Sequence, residues 1–242
     1  MISALLVASG ACAFSPSALV RPPLVPAAAR ASPVIAAAAS AESAALKAEM
    51  LELMQEVSNR GVGAEQELAD DILEVAAELD ESRCIVDDLP PGGWSESPLI
   101  GGTWRLLYTS SRTFANNQGL SGYARDIKGV ATPELLMKIE TVYKRIVYEE
   151  PLELQQGSMA AMFGKFAGAE SVQVECVWRR TTDDAMAVTS QRVVVGGNSW
   201  EPADRQDKAV RALGAARPVF LDEQLLVLRC EPDYIVWVFA RA

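Results

Sequence analysis

The sequence predicts a mainly β fold: an antiparallel sheet of about eight strands closed into a barrel and preceded by a helical pair. Three observations lead there. Apolar residues recur at helical spacing over residues 43–80, then at a spacing of two from about residue 102 onward. A segment with Asp87-Asp88, Pro90-Pro91-Gly92-Gly93 and Pro98 separates the two regimes. Beyond it, mostly short connections join successive strands, and closing such a sheet removes its exposed edges. The expected organisation is a leader over 1–41, a helical segment over 42–84, a linker over 85–101 and the barrel over 102–242.

Residues 1–41 begin with an apolar run, Ile2 to Ala13, ending in the small-residue site Ala11-Cys12-Ala13. Phe14 and a stretch rich in alanine, serine and proline follow, with Arg21 and Arg30 as its charges and no acidic residue before Glu42. That composition reads as a two-part targeting leader without fixed structure; a plain Ala/Pro tail is the blander alternative. Leu46, Met50, Leu53, Met54 and Val57 then mark one face of a helix over 43–60, which Asn59-Arg60-Gly61 stops. A second helix over about 64–80 turns Leu68, Ile72, Val75, Ala76 and Leu79 inward. Its other face holds Glu65, Glu67, Asp70, Asp71, Glu74, Glu78, Asp80 and Glu81, either a solvated face or a docking surface for a basic partner.

The first strand is Gly102-Thr103-Trp104-Arg105-Leu106-Leu107-Tyr108-Thr109, in which Trp104, Leu106 and Tyr108 share one face by strict alternation. Gly102 is expected where the backbone enters beneath the large ring of Trp104. Ile139–Glu149 reads as one strand and the run after Pro151 as another. Val172, Val174, Cys176 and Trp178 alternate with polar neighbours. In the next strand Met186, Val188 and Val194 share a side opposite Val193 and Val195. Phe220–Cys230 and Tyr234–Arg241 form a hairpin about Glu231-Pro232-Asp233. Three intervals lack this rhythm: Phe114–Pro133, a long loop with or without an irregular strand; Gly157–Gly168, apolar and glycine-bounded; and Ser199–Pro218, with a short helix at Ala203–Leu213.

Inward strand faces rich in Leu, Val, Trp and Tyr make a water-poor interior. Leu106, Tyr108, Val174, Trp178, Val188, Val236 and Trp237 are its expected ligand-lining residues, unless the side chains fill it completely. Met159, Met162, Phe163 and Phe166 are candidates for contact with a membrane or lipid particle, or for capping the barrel mouth from inside. Asp222 and Arg229 are candidates for an ion pair near the last hairpin. Cys176 and Cys230 either bridge neighbouring strands or stay as buried free thiols, the more frequent state.

Two blocks carry a family resemblance. Gly102-x-Trp104-Arg105-Leu106-Leu107-Tyr108-Thr109-Ser110-Ser111 resembles the opening strand of the plastid lipid-associated protein (fibrillin) family, whose domain is similar to a lipocalin barrel. Phe220-Leu221-Asp222-Glu223-Gln224-Leu225-Leu226-Val227-Leu228-Arg229, with Ile235–Arg241, resembles its closing hairpin, although Phe220 stands for a frequent tyrosine and Cys230 for a frequent glycine. Val142-Tyr143-Lys144-Arg145-Ile146 and Asn59-Arg60-Gly61 are weaker matches. The leader resembles that of algae with plastids of secondary origin. The resemblance implies a plastid protein, at thylakoids or plastoglobules, that binds a prenyl-lipid, quinone, carotenoid or acyl lipid. It also implies that Trp104 closes one barrel end with Arg241 stacked across it. The alternative role is a non-catalytic structural or assembly subunit docked on a photosynthetic membrane complex or biosynthetic enzyme.

Charge and composition narrow the classes further. A net charge of −10 disfavours nucleic acid and simple electrostatic attachment to anionic lipid. The chain has no histidine, so the commonest general base and metal ligand are missing and Ser110 and Ser111 have nothing of that kind to activate them. Asp183-Asp184 and Asp222-Glu223 are adjacent pairs that point to opposite strand faces and cannot flank one bond. No catalytic residue, metal or cofactor is expected. No uncharged apolar run of about 18 residues occurs, so no transmembrane helix is expected.

Overall fold

A computed structural model describes residues 33–81, 97–154, 169–181, 186–214, 216–230 and 235–242. The leader up to residue 32, most of the linker, Cys12, Cys84, the Asp183-Asp184 pair, the Glu231-Pro232-Asp233 turn and the Met159, Met162, Phe163 and Phe166 group lie outside the described residues.

The chain starts with two helices, α1 (Pro33–Glu56) and α2 (Gln66–Glu81), joined through a 3-10 turn at Asn59–Gly61. α1 begins inside the stretch assigned to the leader, where Pro33 can occupy a first helical position and the alanines that follow are the best helix formers. The turn is left-handed at Asn59 (φ 45°), Arg60 (φ 57°) and Gly61 (φ 84°). Asparagine and glycine adopt that region readily; arginine does not.

Eleven strands follow among the described residues: β1 (Gly102–Thr109), β2 (Val130–Ala131), β3 (Leu136–Glu140), β4 (Arg145–Pro151), β5 (Glu153–Leu154), β6 (Ser171–Arg180), β7 (Met186–Val195), β8 (Asn198–Trp200), β9 (Ala216–Leu221), β10 (Leu225–Cys230) and β11 (Ile235–Arg241). β2 pairs with β5; the other nine form one antiparallel sheet in the order β8-β7-β6-β4-β3-β1-β11-β10-β9. Three short helices complete the described residues: α3 (Arg112–Asn117), α4 (Tyr123–Asp126) and α5 (Asp204–Gly214).

The expected hydrogen-bonded closure into a barrel is not found among the described residues: β8 and β9 are the two ends of the sheet. The chain passes from one end to the other through α5, which packs on β7 and adds Ala209, Val210 and Leu213 to the core. A helix between the edges covers apolar surface but cannot extend a ladder. One face of the sheet nevertheless feeds a single apolar cluster, with members from β1, β3, β4, β6, β7, β9, β10 and β11 and with Trp200 of β8 packed against it.

The opposite face of β1, β9, β10 and β11 is apolar as well. Tyr108, Val219, Phe220, Leu225, Val227, Val236 and Val238 pack there against Leu46 and Met50 of α1 and Ile72, Val75, Ala76 and Leu79 of α2. Polar ties pin this layer: Lys47 Nζ lies 2.5 Å from Asp222 Oδ2, and Asp80 accepts from Arg217 (2.7 and 2.6 Å) and Arg229 (2.8 Å). Asp222 and Arg229 therefore do not pair with each other; each holds a different helix.

Bulges account for two further differences. The β1–β11 register shifts between Leu106 and Tyr108, so Leu106 stays in the sheet's larger core while Tyr108 turns to the helices. The β6–β7 register skips Gln191 and brings Val188 onto the same buried face as Val193 and Val195. One extra residue inverts the alternation beyond it. The expected strand over 139–149 is also two strands, broken at Thr141–Lys144, where Lys144 has a φ of 50° and Val142 and Tyr143 stand 84% and 78% exposed.

Candidate ligand-binding site

At one end of the sheet, Trp104 is fully buried and donates from Nε1 to Ile100 O at 2.9 Å. The Arg241 guanidinium lies 4.5 Å from its ring centroid and donates from Nη1 to Gly101 O at 2.6 Å. Gly102 has a φ of 115°, and a Cβ there would come within 2.9 Å of Arg241 Nη1. The three residues form one closure: a glycine entry, an indole plug and a cation over it.

The other end is covered by the segment that leaves β1. Ser111 caps α3 by accepting from Phe114 N at 3.3 Å, and Gln118 ends it in the left-handed region. Phe114, Leu120 and Tyr123 sink into the core, with Phe114 edge-on to Trp237 at 5.9 Å between centroids. The expected long loop over 114–133 is therefore two short helices and a strand held down by apolar anchors. Glu150, buried at the end of β4, accepts from Leu120 N (2.5 Å) and Ser121 N (2.9 Å). Gln206 of α5 donates to Ser121 O at 3.1 Å. Burial raises the Glu150 pKa, and its Ser121 and Leu120 hydrogen bonds and the charge of Arg60 offset only part of that.

The helix-pair turn reaches this same end. Arg60 is 8% exposed, its guanidinium carbon 5.1 Å from the Phe114 centroid, with Nη2 3.5 Å from Asn59 Oδ1. Its Nε and Nη1 have no hydrogen-bond partner. Burial lowers its pKa, against the raising charges of Glu150 and Glu134. Two clefts flank the turn. One of about 700 Å³ runs from Gly61 and Ala64 along Tyr108–Thr113 to Ile235. The other, about 440 Å³, is lined by Asn59, Arg60, Val62, Gln118, Ala124 and Val130–Pro133. Both are within the usual range of small-molecule sites, about 300–1,000 Å³.

Of the expected lining residues, Leu106, Val174, Trp178, Val188 and Trp237 meet in the sheet's larger core. Tyr108 and Val236 lie on the helix-covered face instead, because of the β1 bulge and because Val236 alternates with Trp237. The five that meet are each 6% exposed or less, so bulk water does not reach them. Inside that core, Tyr148 Oη, Trp178 Nε1 and Trp237 Nε1 are buried donors with no hydrogen-bond partner. Sequence reading overlooked Tyr148, Arg60 and Glu150; Arg60 inside a helix stop was the one available signal, since a glycine or asparagine is the usual choice there.

Cys176 and Cys230 are buried free thiols, and burial pushes the Cys176 thiol well up. Among the described residues no group of three or more His, Cys, Asp or Glu is placed to hold a metal ion, and no helix is long and apolar enough to cross a membrane.

No family model and no curated protein matches this chain. A crystal structure of a DUF4847 family protein from Bacteroides vulgatus is similar at 14% identity and a TM-score of 0.28, over 60% of this chain and 95% of that one. A likeness of that size carries nothing over to this chain.

Proposed function

We propose that this chain is a non-enzymatic, fibrillin-like plastid protein that binds a hydrophobic small molecule, a prenyl-lipid, quinone, carotenoid or acyl lipid, at thylakoid membranes or plastoglobules. Its sheet, fed on one face into a single apolar core and stopped at one end by Trp104 under Arg241, is lipocalin-like in this reading. The observation that carries the reading is the set of orphaned donors in that core: Tyr148 Oη, Trp178 Nε1 and Trp237 Nε1. Each unmade hydrogen bond costs about 1–3 kcal/mol, and a core built only for packing would use Phe at all three places. An apolar ligand with carbonyl or hydroxyl oxygens supplies the acceptors. Each CH₂ it buries adds about 0.8 kcal/mol, so no catalytic group is needed to hold it.

Native mass spectrometry and organic extraction of the protein from a plastid-containing host test this. Retained lipid in the native chain, reduced in Trp178→Phe, is the expected result. A chain that emerges empty, with a Trp178→Phe variant more stable than the parent, overturns it.

A second reading has an observation of its own. The exposed acidic face of α2, with Glu67, Asp70, Asp71, Glu74 and Glu78, suits an assembly subunit that docks on a plastid membrane complex or biosynthetic enzyme. Co-purification with a membrane complex that persists in high salt, together with an empty interior, selects it over the carrier.

A further inference from the structure

The buried turn of the helix pair holds a cation, Arg60, two of whose nitrogens lack acceptors, and Arg60 is among the residues that line a cleft. Arg60 adopts a left-handed φ of 57° to sit there, although its neighbour Gly61 could take the same conformation without strain. Its side chain is 8% exposed, and two of its three nitrogens have no acceptor. Glu150 is the nearest internal charge of opposite sign, and its oxygens accept from Leu120 N and Ser121 N of the cover segment, while no hydrogen bond joins it to Arg60 Nε or Nη1. Glu150 therefore acts on Arg60 as a nearby charge and leaves its donors unpaired. A buried cation with two of its three nitrogens unpaired is costly to keep in a fold, and a partner supplied from outside relieves it. The cleft of about 440 Å³ that Arg60 lines has Val62, Ala124, Val130, Ala131 and Pro133 as its apolar wall.

We infer that this cleft binds an amphiphile with an anionic carboxylate head, the head paired with Arg60 and the chain lying on the apolar wall. The inference rests on the reading that the protein binds hydrophobic molecules, and adds to it a second place, outside the core, with the charge of the head group held there. Guanidinium is suited to this task because its fork matches a carboxylate, and a charge-assisted hydrogen bond inside a protein is about twice as strong as a neutral one. Thr132 Oγ1, also in the cleft lining, donates to the backbone O of Gln118 at 3.0 Å, and Arg60 adds unpaired donors beside it.

Titration calorimetry of the delipidated full chain with dodecanoate, dodecanol and acetate tests the inference. Dodecanoate is expected to bind about tenfold more tightly than dodecanol, and acetate not measurably. In Arg60→Met, which keeps the apolar stem, the two long-chain ligands are expected to come within about twofold of each other. Ala131→Phe, on an exposed position of the cleft wall, is expected to abolish dodecanoate binding while melting near the parent, which keeps the test decisive if Arg60→Met does not fold. Equal binding of dodecanoate and dodecanol by the parent overturns the anion site and leaves the hydrophobic-ligand reading standing. Binding of neither overturns both. Acetate binding as tight as dodecanoate overturns the amphiphile, leaving a site for a small free anion.

Discussion

Arg241 and Trp104 face each other across the β1–β11 ladder, where they are Cα partners, and their side chains meet outside it. The indole has no exposed surface, while the guanidinium is exposed on its far side, so the cation–π attraction works partly against water. At such a site it is worth about 0.5–1 kcal/mol. The bond from Arg241 Nη1 to Gly101 O fixes the same stack from the other side of Gly102. A double-mutant cycle of Trp104→Phe and Arg241→Ala, read by urea denaturation, is expected to show a coupling of that size; strict additivity means the two side chains do not cooperate. Glycine at 102 was legible from its place before a large aromatic. The Arg60 conformation was not, because nothing in the sequence says that an arginine will take a left-handed turn and turn inward.

Glu175 on β6 ties three strands together. Its carboxylate accepts from Arg192 of β7 at 2.8 and 3.1 Å and lies 2.9 Å from Arg145 of β4. The Arg192 hydrogen bonds, with the charge of Arg145, hold its pKa below the ordinary carboxylate value despite some burial. A folded-state pKa below the unfolded one means that the carboxylate stabilises the fold above about pH 4.3 and stops doing so as pH falls through the depressed value. Glu175→Gln is therefore expected to be less stable than the parent at pH 7 and to lose less on going from pH 5 to pH 3, as read by urea midpoints at each pH. Equal acid limbs in the two proteins would place the acid sensitivity elsewhere. The strands themselves were legible from alternation, but their faces were not. Leu107 and Gln191 are the extra residues of two bulges, and a bulge leaves no mark in a period-two pattern.

At the scale of the molecule, the sheet has two apolar faces where β1, β9, β10 and β11 lie, and the helix pair is the second layer. Most of what holds the helices is that apolar contact, and Lys47–Asp222 and Asp80 with Arg217 and Arg229 set their position. A shortened chain beginning at residue 97 leaves Val219, Phe220, Val227 and Val238 uncovered. It is expected to bind a hydrophobic dye such as ANS more strongly, and to associate more in gel filtration, than the full chain. A monomeric, dye-silent shortened chain means that the helices are a dispensable appendage.

The sequence by itself determined the class of the larger segments: that most of 43–80 is helical, that most of the chain from residue 102 onward alternates, and that no histidine chemistry is open to the chain. It did so because hydrophobic period and composition are local properties, set by how each backbone type presents its side chains. Tertiary structure decided the rest. It left the sheet with two ends and a helix between them, turned Tyr108 and Val236 to the helices, gave Asp222 and Arg229 separate partners, and brought Arg60, Phe114 and Glu150 from distant parts of the chain to one end. Those outcomes depend on strand register and on which buried charge finds which donor, and both are settled between segments far apart in sequence.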